Sequence, residues 1–367
     1  MTADTQDRTT TPPPGGRAAR RRSAPRTRTR GQKIRRALLW TLAVVLVALG
    51  GGGWWMYSHL NGNIDSVDLD KAIGDNRPQK VVEGAQNVLV IGSDSRAGEN
   101  SDLDGGSKVA GARSDTTLLI HIPEGRAKAT AVSIPRDTLI NRPDCKDEDG
   151  KSIPGQKRAM MNSVYTTGGP ACVVNTVEQM SGVRVDHFVE VDFAGFKGLV
   201  DALGGVTVKL DKPINGSKGG IKLDAGEHRL DGTQSLKFVR TRKGYADGSD
   251  LGRIGLQQKF MTAMLSEIKK QDALGNPARL YKLADAGTKS LTTDSDLASL
   301  TKLSDFAKSM KGVDPETMET IMLPVAYDKI DPNRVVAAEP NATHLWEAVR
   351  NDQPIPADAK KSPAKAG

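Results

Sequence analysis

Three familiar signatures of hydrolytic chemistry are missing from this 367-residue chain. It holds no G-x-S-x-G, no H-E-x-x-H and no P-loop, so the hydrolytic mechanisms built on those motifs find no support. The five histidines, His59, His121, His187, His228 and His344, are scattered without metal-ligand spacing. No internal repeat divides the chain. A basic body is missing as well. The first 36 residues hold 11 Lys or Arg against two acids, Asp4 and Asp7, while the whole chain nets only +8, so everything after Arg36 is close to neutral. The pI of 9.3 therefore belongs to the arm, and the arginines of the body need individual explanations rather than a nucleic-acid-binding field.

The arm over residues 1–36 is rich in Thr, Pro, Gly and Arg and has too little apolar content to offset ordering entropy, which predicts disorder. It lacks the aromatic interleaving of a nucleic-acid contact, so the expectation is no nucleic-acid partner and attraction to anionic lipid instead. An uncharged run, Ala37–Tyr57, follows and is about as long as a membrane-crossing helix. Lys33, Arg35 and Arg36 flank its start, and Trp54, Trp55 and Tyr57 mark its end. Positive residues inside and an aromatic belt outside predict a single-pass cell-membrane protein with a cytoplasmic N-terminus. A cleaved signal peptide, with Ala48-Leu-Gly50 as its small-residue site, is the rival reading; the long basic lead and Trp54-Trp55 favour an uncleaved anchor. Cysteine is scarce too. Cys145 and Cys172 are the only pair, both in the outer part, and an oxidising compartment favours a disulfide between them over two free thiols. It would close a loop of about thirty residues and stabilise by roughly 3–4 kcal/mol.

Beyond the anchor, residues 58–80 read as a polar stalk, 81–352 as an extracytoplasmic domain and 353–367 as a disordered tail. The short apolar run Asn87–Ile91 predicts a strand buried on both faces, and Thr116–Ile122 and Ala129–Ile134 read as a second and a third strand. Each carries an Asp–Arg pair at one end: Asp94/Arg96, Asp115/Arg113 and Asp137/Arg136. If the first and third strands run parallel and the second antiparallel beside them, all three pairs meet at one rim. Asn141–Arg158 reads as loop, and Met160–Tyr165 and Ala171–Gly182 as helical pieces joined by Gly168-Gly-Pro170. His187–Val191 predicts a strand, Phe193–Leu203 a helix stopped by Gly204-Gly205, and Val206–Leu210 another strand. Arg240 and Arg242 would share one face if Leu236–Thr241 were a strand. Two guanidinium forks side by side suit a pyrophosphate. A long helix from Ile254 to about Lys270 would begin near Arg253 and turn backbone N–H groups toward an anion, with Asp250 as a candidate cap. Helices around Pro277–Ala286, Leu297–Lys311 and Thr343–Val349 and a strand at Thr320–Val325 complete the domain.

Taken in order, Asn87–Arg96 (NVLVIGSDSR), Arg113–Thr116 (RSDT), Ser133–Thr138 (SIPRDT), Met161–Gly169 (MNSVYTTGG), Asp186–Phe193, Leu230-Asp-Gly232 and Arg240-x-Arg242 through Gln257 resemble the LytR-CpsA-Psr family of cell-wall glycopolymer transferases. The resemblance implies an α/β fold with a mixed central sheet sandwiched between helices and an apolar tunnel for a polyprenyl tail. It implies transfer of a phosphoglycan from polyprenyl pyrophosphate to a muramic acid hydroxyl of peptidoglycan, forming a phosphodiester. The membrane, the lipid-linked glycan and the peptidoglycan acceptor are the partners it names. The implied cofactor is Mg²⁺, or Mn²⁺, held by Asp94 and Asp115, with Arg136 and Asp137 also in the catalytic group. Arg113, Arg136, Arg158, Arg240, Arg242, Arg253 and Gln257 are the implied phosphate clamp. Two positions depart from the family's pattern: Met160 stands where Lys is common, with Arg158 just upstream, and Leu256 stands where Arg commonly precedes the Gln pair. The base for the sugar hydroxyl is open between Asp137 and Asp94. A non-catalytic receptor or regulator using the same clamp is the alternative.

Overall fold

The computed structural model describes residues 30–93, 114–125, 128–147, 149–216, 220–241, 250–270, 277–310, 312–314 and 317–363. The chain divides into two units, Met1–Trp55 and Met56–Gly367. Helix α1 spans Arg30–Gly62, and its stretch Leu38–Gly62, with a mean hydropathy of 1.7, is long and apolar enough to cross a bilayer.

The second unit is built on a seven-stranded mixed sheet. In chain order its early elements are β1 (Asp65–Val67), α2 (Leu69–Ile73), β2 (Gln86–Ser93), β3 (Ser114–Ile122) and β4 (Thr130–Ile134). A nested pair of hairpins follows, with β5 (Leu139–Arg142) on β8 (Gln156–Met160) and β6 (Cys145–Lys146) on β7 (Ser152–Ile153). Next come α3 (Met161–Ser181), β9 (His187–Asp192), α4 (Phe193–Ala202), β10 (Val206–Leu210), β11 (Ile214–Asn215), β12 (Lys222–Leu223), β13 (Gly226–Leu230) and α5 (Gly232–Arg240). The last part holds α6 (Asp250–Lys270), α7 (Pro277–Ser290), β14 (Leu291–Asp294), α8 (Leu300–Ser309), β15 (Glu319–Met322), β16 (Val325–Tyr327), β17 (Val335–Ala337) and α9 (Asn341–Arg350). The sheet order is β1-β14-β9-β2-β3-β4-β15. β3 pairs antiparallel with both β2 and β4, so those two run parallel with β3 between them.

The two faces of the sheet are covered differently. On one, Leu89, Ile91, Leu119, Val132 and Phe188 are fully buried and share a core with Met161, Val164, Val173 and Val177 of α3. On the other, Val88 and Ile122 are buried in a smaller core with Phe306 of α8, while Val90, Ile120, Val189 and Val191 are only half-buried. The helices on that side build a core of their own: Val200, Phe238, Leu256 and Phe260 cluster with β10 and include no residue of the large sheet. Met261, Met264 and Leu265 of α6 likewise stay half-buried. β2 reads as a continuous apolar run because it is packed on both faces, with Leu89 and Ile91 in the α3 core and Val88 in the smaller core on the other side.

α3 bends at Gly168 and Gly169, whose backbone angles leave the helical region, and Pro170 restarts it. A Cβ at Gly168 would lie 2.9 Å from both Cys172 Cβ and the Lys146 carbonyl, so only glycine lets the β6–β7 hairpin close on the helix. There the Cys145–Cys172 disulfide forms, with Cα atoms 5.5 Å apart.

Three expectations need correction. Residues 58–80 are no free stalk: β1 pairs with β14 along the sheet edge, Leu69 is buried in the main core, and Arg77 donates to Glu178 at 2.8 Å and to the Val185 carbonyl at 2.7 Å. The described part of the tail is packed too, with Ala359 fully buried and Ser362 bonded to the backbone of Val325. Residues 141–158 carry hairpins rather than plain loop.

Arg77 and Glu178 are almost wholly buried, their side chains 5% and 0% exposed. Arg77→Ala would strand a buried carboxylate and lower unfolding free energy by about 3–5 kcal/mol in denaturant titration, whereas replacing both partners with apolar residues should cost far less. Reducing the disulfide should cost about 3–4 kcal/mol in the same assay.

Candidate functional site

The rim where β2 and β4 end and β3 begins carries the charged residues. After β4 the chain turns tightly through Pro135-Arg-Asp, with the Thr138 N–H on the Pro135 carbonyl at 3.0 Å. This turn aims Arg136 back across β3, where its Nη1 donates to Asp115 Oδ1 at 2.9 Å. Arg136 also stands 3.5 Å from Asp137 Oδ2, and Arg334 approaches the other oxygen of Asp137 at 3.4 Å. Charges thus alternate along Asp115, Arg136, Asp137 and Arg334. The side chains of Asp115 and Arg136 are 20% and 18% exposed, so their pairing is worth more than that of freely solvated ions. The first turn of α3 locks onto the same segment: the Met161 N–H reaches the Thr138 carbonyl at 2.9 Å and the Asn162 N–H reaches the Arg136 carbonyl at 3.0 Å.

The opposite wall comes from α5, where the structure overturns the strand over Leu236–Thr241. Asp231 and Gln234 form a reciprocal capping box that starts a helix at Gly232, and Arg240 is its last residue. The Arg240 guanidinium carbon lies 4.6 Å from the centroid of the Phe193 ring, a cation–π contact that helps set its direction. Gln257 on α6 donates to Thr116 Oγ1 and to the Val239 carbonyl, both at 3.2 Å. Gly92, Asp115, Thr116, Phe193, Val239, Arg240 and Gln257 enclose a cavity of about 320 Å³. It opens on the side of the sheet where Val90, Ile120, Val189 and Val191 are half-buried.

Of the sequence-derived residues, the fold brings together Asp115, Arg136, Asp137, Arg240 and Gln257. Asp94, Arg113 and Arg242 lie outside the described residues, and Arg253 lies in α6 with its side chain outside them. Arg158 is engaged elsewhere. Its guanidinium forks onto Asp328 at 3.2 and 2.8 Å, not onto the Asp115–Arg136 rim. His187 bonds Asp294 at 3.2 Å and stacks edge-on against Phe306, a structural role. Arg334 and Phe193 were not foreseen. Arg334 sits in a connection with no pattern to mark it, while Phe193 is flagged only by Asp192, which caps α4. Among the described residues no group of three or more His, Cys, Asp or Glu gathers as a metal site.

An α/β protein with an arginine–carboxylate rim over a partly apolar cavity is the class that fold and site define. Comparison with known proteins agrees. Residues 56–351 match the LytR_cpsA_psr family. Cell wall biosynthesis protein LcpA of Corynebacterium glutamicum is 30% identical over 306 residues, which is 75% of this chain and 58% of LcpA. The polyisoprenyl-teichoic acid–peptidoglycan teichoic acid transferase TagT of Bacillus subtilis is 30% identical over 302 residues, 78% of this chain and 87% of TagT. Among solved structures, YwtF (TagT) with bound octaprenyl pyrophosphate lipid superposes with a TM-score of 0.55 at 21% identity, over 78% of this chain and 98% of that one. The chain belongs to the LytR-CpsA-Psr family.

The Asp328 carboxyl is held down to about 2, chiefly by Arg158 and then by the Asp331 and Ile330 backbone N–H groups. A depressed carboxylate supports the fold above its ordinary range and loses that support as pH falls through the depressed value. Carboxyl-resolved NMR should find Asp328 titrating near 2 in the native protein and moving up toward the ordinary range in Arg158→Ala.

Proposed function

We propose that this protein transfers a phosphoglycan from polyprenyl pyrophosphate to a muramic acid hydroxyl of peptidoglycan, forming a phosphodiester and releasing polyprenyl phosphate. The observation that carries the proposal is the meeting of Asp115, Arg240 and Gln257 around one cavity, with Arg136 fixed beside it by Asp115. The half-buried apolar face below it suits a prenyl tail. Support comes also from TagT, named as a teichoic acid transferase, and from the family structure that holds octaprenyl pyrophosphate. The chain spans 58% and 54% of the lengths of LcpA and LcpB, its two Corynebacterium relatives.

In this reading Arg136 and Arg240 grip the diphosphate from two sides, with Arg113, Arg242 and Arg253 completing the clamp. The acceptor oxygen attacks the phosphorus that bears the glycan, and the bond from that phosphorus to the bridging oxygen breaks. The electron pair leaves with polyprenyl phosphate, and negative charge grows on the nonbridging and leaving oxygens. Guanidinium groups fixed in advance stabilise that charge without reorganising. Asp137, gripped by Arg136 and Arg334, orients the clamp, and it and Asp94 are the candidate acceptors of the hydroxyl proton.

Asp115 fits a Mg²⁺ or Mn²⁺ site in one respect: it sets a hard oxygen donor at the cavity wall, and a metal of this kind takes most of its shell from phosphates and water. Asp115 and Asp94 would hold it, and when bound it would neutralise phosphate charge. We place the arm in the cytoplasm and the second unit outside the cell membrane, anchored by α1.

The test follows prenyl phosphate release from a radiolabelled lipid-linked donor in the presence of peptidoglycan. Release should stop with a chelator and return with Mg²⁺. Arg240→Ala and Arg136→Ala should each slow it by about 10²–10³-fold, the effect of deleting one preorganised charge donor. A donor that binds but never turns over would identify a receptor instead.

A further inference from the structure

A second, larger cavity of about 840 Å³ lies beside the bend of α3. Its walls are the β1–α2 segment, the β6–β7 hairpin and residues 165–175, and its floor is Glu190 and Thr292. Glu190 and Thr292 are paired across the sheet, and Glu190 is paired with Ile91 on its other side. They therefore lie on the face that α3 covers, opposite the half-buried face beside the diphosphate cavity.

Along that face the neighbouring positions Leu89, Ile91, Leu119 and Phe188 are fully buried hydrophobics. Glu190 breaks the row. It is 6% exposed and accepts from the Tyr165 hydroxyl at 2.5 Å. Burial pushes its carboxyl above the ordinary range, against the Tyr165 and Ser93 hydroxyls, and Asp192 adds to the rise. Pinning the bent helix to the sheet would account for the Tyr165–Glu190 bond. It would not account for the open space beside it.

The lining decides between ligand classes. Asp68, Asp144, Asp147 and Glu190 outnumber Lys71 and Lys146 among the described lining residues, which disfavours a phosphate. A prenyl chain would lay hydrocarbon against the carboxyl, amide and hydroxyl groups of Glu190, Asn175, Thr292 and Tyr165, which disfavours it. Carboxylates, an amide and hydroxyls set among apolar patches suit an uncharged ligand rich in hydroxyl and amide groups. At the bend, Gly168 and Gly169 line the space, so a ligand can approach the backbone closely. Tyr165 stands one helical turn beyond Asn162, whose N–H holds the Arg136 carbonyl.

We propose that this cavity is a subsite for the acceptor's N-acetylated amino-sugar strand, lying along α3 and leading toward Arg136. The proposal rests on the transferase reading, but its test uses no donor and no turnover, so either can fail alone. The probe is a β-1,4-linked N-acetylglucosamine tetramer, free of phosphate and peptide, titrated into the full-length chain in detergent micelles. The native chain should bind it. Tyr165→Phe and Glu190→Gln should each weaken binding by roughly tenfold, the worth of one buried hydrogen bond to a charged or strongly polar group. Ser66→Trp, at an exposed position of the cavity wall, should block binding without touching the core. In the transfer assay these variants should raise the KM for acceptor and leave the KM for donor unchanged. No binding by the native chain would overturn the proposal. So would unchanged binding in Ser66→Trp together with Glu190→Gln, or loss of binding in Arg240→Ala alone, which would put the sugar on the diphosphate side.

Discussion

The burial of one sheet face under α3 is the constraint on which the rest of this structure depends. Leu89, Ile91, Leu119 and Phe188 meet Val164, Val173 and Val177 with no surface left exposed. Close packing of this kind leaves little room for adjustment, so the sheet and the first turn of α3 act as one solid piece. Arg136 is fixed to that piece through its own carbonyl and through Asp115. Around Val90 and Val191 the opposite face can then stay less closely covered. A cavity of about 320 Å³ next to a rigid charged rim is tolerated because stability is supplied from the other side.

The electrostatics follow a similar division. Each described arginine near the rim has an acidic or aromatic companion that sets its direction: Asp115 and Asp137 for Arg136, Phe193 for Arg240, Asp137 and Asp331 for Arg334. A guanidinium held in this way has lost its rotamer freedom before any ligand arrives, which reduces the entropy lost on binding. Arg158 shows the limit of the pattern. Its fork is matched to Asp328, and that pairing ties β8 to the β16–β17 connection rather than offering a charge to the cavity.

Much of this was legible before the structure. The runs at His187–Asp192, Phe193–Ala202 and Val206–Leu210 show their period plainly, and Gly204-Gly205 stops the helix among them, so their type could be read. The Asp115–Arg136 meeting followed from strand direction alone. What misled was local. Arg240-x-Arg242 has the spacing of a strand face, and it outweighed the Asp231-to-Gln234 capping box that actually starts a helix. The edge strand β1 and its neighbour β14 were missed because Asp-Ser-Val and Leu-Thr-Thr-Asp carry almost no hydrophobic signal. Long-range partners such as Arg334 for Asp137 and Asp328 for Arg158 leave no trace in spacing, since only the fold brings them near.

The edge pairing of β1 has a kinetic side. Asp65 lies in register with Thr292, so the first strand to be made waits for one of the last. The β2–β3–β4 meander can form from neighbours in sequence, but the flanks of the sheet depend on high contact order and form slowly. Until β14 arrives, β9 presents a bare edge, the kind of surface on which chains aggregate. A chain halted before β14 would contain Arg136 and Arg240 but lack both Arg334 and a finished sheet.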